Sequence, residues 1–366
     1  NNLCMELGRR CPTDVDVGKW VANAVDREVY ELTFKLLWSA DLVSLPKSLY
    51  SCKSLNSLTL SHKILVDVPS SAASLSSLTT LVLDYVVYKD EDSLVRFLSS
   101  CSILERLTIK RNKKDDNVTT FSVKVPSLLY LDYANERRMP ENIDAGETGS
   151  CLVIDAPALT DFRIHDTSGD SCFFSNEIPR LDFACVDVEF CPDDKLLRIL
   201  SSALSIILFW TDPVVSSLSS IKFSRLKDCR LLSDEPNWME PTILLLQNSP
   251  KLKSLMVYCV RFLLTPKFDE LKKHSDSEPA ISWSQPSSVP GCLSSQLEEF
   301  QWKSYLGRED EERFLTYVLA NSKCLKTAVI SIRPVFNLQV QEEMMLDLKD
   351  IPRVSTESQL VFTPDP

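Results

Sequence analysis

One spacing recurs along this chain and limits what it can fold into: a leucine, two residues, an apolar residue, one residue, an apolar residue. Leu55, Leu58 and Leu60 in SLNSLTL are its clearest copy; Leu78, Leu81, Leu83 and Leu104, Leu107, Ile109 repeat it. Anchored on the first apolar position, the copies begin at Val29, Leu55, Leu78, Leu104, Leu128, Leu159, Leu181, Leu204, Leu226 and Leu252. Their mean period is about 25 residues, inside the range of roughly 20–29 that marks leucine-rich repeats. Some copies are weaker. Leu181, Ala184, Val186 uses a small residue, Leu226, Cys229, Leu231 a cysteine, and Leu204, Ile207, Phe209 lies in an apolar run.

Alternate side chains of a strand face opposite ways. The last two apolar residues of each copy therefore point inward, and the residues between and after them point out. No copy buries its apolar face alone, so stacked neighbours share one core. The expected fold is α/β: an irregular leucine-rich-repeat solenoid with a parallel sheet on its concave side. The asparagine rung of regular repeats is mostly missing, and only Asn112 fits it. Return segments complete the other side. DEDSLVRFLSSC puts Leu94, Phe97, Leu98 and Cys101 on one helical face, and PDDKLLRILSSAL does so with Leu196, Leu197, Leu200 and Leu204; SHKILVDVPSSAAS reads as extended or turn-like. Residues 13–25 predict an amphipathic helix capped by Thr13 or Asp14, with Val17, Trp20, Val21 and Val25 on one face.

Net charge is −11, and the one dense basic run, Lys110 to Lys114, is followed by Asp115 and Asp116. Nucleic-acid binding is not expected of such a balance. No run approaches the ~18 apolar residues of a membrane span. The twelve cysteines stand singly, with no C-x-x-C pair, and the three histidines hold no metal-ligand spacing. Small buried thiols of a reducing compartment, cytoplasm or nucleus, are the expectation. Neither a catalytic constellation, nor a cofactor motif, nor a metal site is found: G-x-S-x-G is absent, and His165 points outward near Asp132 and Asp187. Glu309 to Glu312 read as a helix start, and Met344 and Met345 as core of a terminal helix.

Near the C-terminus the pattern changes. Trp283, Pro286, Val289, Pro290, Cys292, Leu293, Leu297, Phe300, Trp302, Tyr305, Gly307, the acidic run Glu309 to Glu312, Tyr317, Leu319, Asn321 and Cys324-Leu325-Lys326 recur at fixed spacings. This stretch resembles the FBD domain of plant F-box/leucine-rich-repeat proteins. Met345-Leu346, Pro352-Arg353, Ser355 and Gln359 to Phe362 resemble that family's usual ending. The resemblance implies a non-enzymatic substrate receptor of a cullin-RING ubiquitin ligase, docking a Skp-type adaptor through an F-box of helical character. No F-box is found in this chain, which opens on Asn1 where the family's F-box has ended and reads as a fragment or a natural F-box-less form. A stand-alone interaction scaffold without a ubiquitin role is the alternative. Read from the residues, Leu297, Phe300, Trp302 and Leu325, Ala328, Ile330 continue the repeat, and the FBD caps the array.

The expected organisation is an N-terminal helical segment at 1–27, repeats at 28–261, a linker at 262–282, the FBD at 283–333 and a tail packing on it at 334–366. Outward positions of the early copies are polar. The later ones display Trp210, Arg230, Leu232, Met256 and Tyr258, and these five are the expected partner surface for a substrate protein.

Overall fold

The computed structural model describes residues 1–8, 16–37, 41–70, 73–112, 117–136, 151–167, 171–176, 178, 180–189, 194–210, 214, 221–233, 238–259, 283, 285–334, 336 and 338–364. The expected cap at Thr13 or Asp14, the basic loop at 113–116 and the linker at 262–282 lie outside the described residues. The chain divides into two compact units, 1–183 with 187–199, and 184–186 with 200–366.

In the first unit, strands Asn2–Leu7, Glu31–Leu36, Ser57–His62, Thr80–Asp84, Arg106–Asn112, Tyr130–Glu136 and Asp161–Asp166 lie side by side in that order, all parallel. The repeat is read directly in the register. Leu32, Leu58, Leu81, Leu107, Leu131 and Phe162 form one inward row; Phe34, Leu60, Leu83, Ile109, Tyr133 and Ile164 form the next. Every member is buried. Each full burial of such a side chain contributes roughly 1.5–3 kcal/mol, so a rung is held chiefly by its two neighbours.

Where an asparagine ladder is missing, backbone bonds link the rungs. At the residue before or at the start of each strand, Thr79 N–H donates to Asn56 O, Glu105 to Thr79, Leu129 to Glu105 and Thr160 to Leu129, each at 2.9 Å. These bonds need no particular side chain, which is why irregular copies stack.

The return side holds helix α1, Val17–Asp26, and helix α2, Glu91–Ser100. Asp90 caps α2, accepting the Ser93 N–H at 2.6 Å, and Leu94, Phe97 and Leu98 are buried as expected. Other returns are strands. Val43–Ser44, Ile64–Val66 and Val87–Tyr88 make one small parallel sheet; Thr120–Lys124, Cys151–Asp155 and Ser171–Phe174 make another. In the second, alternate residues Phe121/Val123, Leu152/Ile154 and Cys172/Phe174 are buried.

Two differences concern the N-terminal segment. It carries a strand, Asn2–Leu7, paired with Glu31–Leu36 as well as the helix. In α1, Asp16 caps by accepting the Lys19 N–H at 3.1 Å, and Val17, Val21 and Ala24 face inward while Trp20 is 40% exposed. The helix starts later than the apolar spacing suggested, and its buried stripe runs through Ala24 instead of Trp20.

In the second unit the strand order is Ser205–Trp210, Asp228–Ser233, Ser254–Cys259, Glu299–Tyr305, Thr327–Ile332 and Gln359–Pro364, again parallel. Ile206, Cys229, Leu255, Phe300 and Ala328 form one inward row, and Leu208, Leu231, Val257, Trp302 and Ile330 the other. The first copy is therefore shifted by one residue from its expected phase: Ala203, Ile206 and Leu208 are buried, whereas Ile207 and Phe209 are half-buried on the other face. In the run SIILFW both phases are apolar, so only pairing with Cys229 and Leu231 selects one.

Aromatic residues of the C-terminal motif are core. Trp302 is fully buried, with ring centroids of Trp238, Tyr305 and Phe314 at 5.1, 5.4 and 5.9 Å. A register shift after Trp302, with Ser304 in the left-handed region (φ 56°), brings both Trp302 and Tyr305 inside. Helix α3, Asp194–Ser201, belongs to the first unit except for its last two residues; helices α4, Met239–Asn248, α5, Gly291–Ser295, and α6, Glu309–Asn321, belong to the second. Phe314, Leu315, Val318 and Leu319 of α6 face inward as expected. In the last helix, α7, Leu338–Asp350, only Leu348 is buried; Met344 and Met345 are half-buried, not core.

Candidate partner-binding surface

Register assigns the outward face of the second unit residue by residue. One row runs Ile207, Arg230, Met256, Gln301, Val329, Val361; the next runs Phe209, Leu232, Tyr258, Lys303. Arg230 is exposed, and Leu232, Met256 and Tyr258 are half-buried, the four lying on two adjoining strands. The structure brings these four expected residues together. Trp210 does not join them by register: it lies opposite Ser233, which is buried, and its side chain lies outside the described residues. The one-residue shift puts Ile207 and Phe209 on the outward rows in its place. The signal that could have found them was Cys229-x-Leu231 on the neighbouring copy, read as a core pair to be matched.

Polar groups frame the apolar stripe. Arg230 Nε lies 3.7 Å from Asp228 Oδ2, and Lys303 Nζ lies 6.0 Å from the centre of the Tyr258 ring. Along the strand starts, Glu298 accepts Lys253 at 2.6 Å and Lys326 at 2.5 Å, and these two ammonium groups pull its carboxyl down to about 2. The result is an apolar centre with charged borders, the composition that protein contacts favour.

The outward face of the first unit is of another kind. Tyr130 lies between two guanidinium groups, Arg106 at 4.1 Å and Arg163 at 5.3 Å from the ring centre, and Arg163 also lies 4.8 Å from the Phe183 ring. Asp161 accepts Arg163 Nε at 3.0 Å. His165 Nδ1 is 2.7 Å from Asp187 Oδ2, and that bond raises the imidazole pKa against the opposing effect of burial. This is a paired, outward-facing histidine; Asp132, the other expected neighbour, bonds instead with the Tyr130 hydroxyl. Among the described residues, no group of three or more His, Cys, Asp or Glu could hold a metal ion, and no helix is long and apolar enough to cross a membrane.

Comparison with known proteins bears on this architecture. The family model of the FBD matches residues 285–330, and that of the leucine-rich repeats of an FBD-associated F-box protein, At5g56370, matches residues 17–173. An Arabidopsis thaliana FBD-associated F-box protein, At1g05080, is 52% identical over 366 residues, covering 99% of this chain and 80% of the relative. This chain belongs to the plant F-box/FBD/LRR-repeat family. A second Arabidopsis thaliana member, the F-box/FBD/LRR-repeat protein At1g22000, is 46% identical over 99% of this chain and 76% of its own length. In this chain the FBD match covers strands Glu299–Tyr305 and most of Thr327–Ile332 with α6 between them, and so takes in Trp302, Tyr305 and Phe314 of the aromatic core.

Proposed function

We propose that this chain is a protein-recognition module, the substrate-receptor part of an F-box subunit in cullin-RING ubiquitin ligation, and that it acts without catalysis. One observation carries the reading: half-buried apolar side chains, Ile207, Phe209, Leu232, Met256 and Tyr258, occupy outward positions on three adjoining strands beside Arg230. A continuous apolar patch on a sheet face is costly to leave in water unless a partner covers it. Membership of a family named for its F-box supports a Skp-type adaptor as the link to the ligase, reached through an F-box. The captured substrate is a protein presenting an apolar segment to this face.

The test compares wild-type protein with Leu232→Asp and Tyr258→Ala by quantitative affinity capture, alongside Skp-type adaptor co-purification of the full-length gene product. One and the same protein should disappear from both variants by at least tenfold, while adaptor binding is unchanged. That protein should also accumulate when the gene is silenced. Capture indifferent to both substitutions removes the surface, and a captured protein whose turnover is unaffected favours the stand-alone scaffold.

A further inference from the structure

At strand Asn2–Leu7 the sheet of the first unit stops before its inward rows are covered. Leu3, Met5 and Leu7 continue the rows of Leu32, Phe34 and Leu36. Those three are buried, whereas Leu3, Met5 and Leu7 are half-buried. Leu3 and Met5 line an open groove of about 450 Å³. The backbone of this strand is also half used. Asn1 O accepts the Tyr30 N–H at 2.8 Å and Leu7 O accepts the Leu37 N–H at 2.9 Å. Asn1, Leu3, Met5 and Leu7 therefore turn their backbone groups toward Glu31–Leu36. Alternation turns those of Asn2, Cys4 and Glu6 the other way, to an edge where no strand lies among the described residues. Bare edges are commonly blunted by proline or a bulge. In the second unit the edge strand Gln359–Pro364 is blunted so. Gln359 N–H donates to Lys326 O at 2.9 Å, which leaves Leu360, Phe362 and Pro364 facing out, and Pro364 has no N–H. Asn2–Leu7 contains no proline, and its register with Glu31–Leu36 is unbroken.

We propose that this edge pairs with the same edge of a second copy of the chain, antiparallel about a two-fold axis at Cys4. The strand is suited to itself: Asn2-Leu3-Cys4-Met5-Glu6 reads polar, apolar, small, apolar, polar in both directions, as an isologous contact requires. Cys4 then faces Cys4 of the second copy and Asn2 faces its Glu6, so each edge-facing residue exchanges both backbone bonds. On the inward side Leu3 meets Met5 of the second copy, and the uncovered rows cover one another. On the outward side Asn2 Nδ2 gives one hydrogen to Glu31 at 2.8 Å and keeps the other, while Glu6 Oε1 receives Lys35 Nζ at 2.6 Å and leaves Oε2. These spare groups meet across the axis. An axis moved to Glu6 would instead set two carboxylates face to face, which is destabilising. The contact is separate from the sheet face discussed above, and either can stand without the other.

The experiment measures self-association of the whole chain by sedimentation equilibrium, together with thiol cross-linking. The weight-average mass should rise with concentration from 41.4 kDa toward twice that value. Residues exchanging both bonds lie about 5.5 Å apart at Cα, inside the range of about 4.4–6.8 Å that a disulfide spans. Diamide, which takes up the two thiol hydrogens, should therefore join Cys4 to Cys4, as read by peptide mass mapping, in preference to the equally exposed Cys324. Cys4→Ser should still associate. Cys4→Pro removes the N–H at the axis and leaves the bonds to Glu31–Leu36 in place; it should weaken association by at least tenfold. A monomer at every concentration, links through Cys324 instead of Cys4, or a Cys4→Pro protein that associates as wild type does would each overturn the proposal. A monomer whose Cys4 resists iodoacetamide would assign the edge to another segment of this chain, and also overturns it. If Cys4→Pro lowers the unfolding temperature, the wild-type cross-link decides alone.

Discussion

Glu311 is a buried carboxyl with a function in the fold that pH should reveal. It sits in the first turn of α6 and is 2% exposed. Its Oε2 accepts the N–H groups of Leu306 at 3.0 Å and Arg308 at 3.2 Å, tying the loop after strand Glu299–Tyr305 to the helix start. Burial outweighs these bonds and pushes the carboxyl from 4.5 up to about 7. The folded state therefore holds this proton more tightly than the unfolded chain. The stability it contributes is fully present below about pH 4.5 and is lost as pH rises to about 7. At 1.36 kcal/mol per pKa unit, the loss is about 3 kcal/mol. In Glu311→Gln the side-chain carbonyl still accepts a backbone N–H, and the titration is gone. Urea unfolding of both proteins, followed by tryptophan fluorescence between pH 5 and 8, measures the difference. Wild type should lose about 2–3 kcal/mol relative to the variant across that window. His165, whose pKa is also raised, is common to both proteins and cancels. Parallel profiles, or a wild type that gains on the variant as pH rises, would refute the reasoning, because they would mean that the N–H bonds hold Glu311 ionised.

Three other outcomes are expected. Gly307 has φ +72° and an added Cβ would come within 2.8 Å of Met344 Cε; Gly307→Ala should cost about 1–2 kcal/mol in urea unfolding, with part of the loss recovered in the double variant with Met344→Ala. Leu58→Ala removes a fully buried rung residue between Leu32 and Leu81 and should cost about 2–5 kcal/mol by the same measurement. Trp20→Ser, at a 40% exposed site, should change stability by less than about 0.5 kcal/mol, whereas the amphipathic pattern alone predicts a core loss.

Much of the fold was legible because the repeat is local. A strand alternates every residue, and a copy with one polar phase has a single way to face the core. Leu181, Ala184, Val186 and Leu226, Cys229, Leu231 were read correctly despite their small residues, and all six are buried, because the residues between their last two apolar positions, Cys185 and Arg230, are small or charged. The return strands at 120–124, 151–155 and 171–174 were not read, since each is only four or five residues long and gains its meaning from two others. The candidate surface was half legible. Arg230, Leu232, Met256 and Tyr258 follow from clear phases, whereas Trp210 follows from an ambiguous one.

The sequence by itself determined the period, the inward rows and the family, because spacing and residue type are properties of the chain before it folds. Tertiary structure decided three things that depend on a neighbouring rung. It chose the phase of SIILFW by matching Ile206 and Leu208 to Cys229 and Leu231. It made a strand of Asn2–Leu7 by pairing it with Glu31–Leu36. It also set Ser61, outward in phase yet fully buried, between His62 and Asp84, which it meets at 2.6 and 2.9 Å. Hydrogen bonds and hydrophobic contacts between rungs join residues more than twenty positions apart, and no local pattern encodes which of two apolar faces will find a matching one.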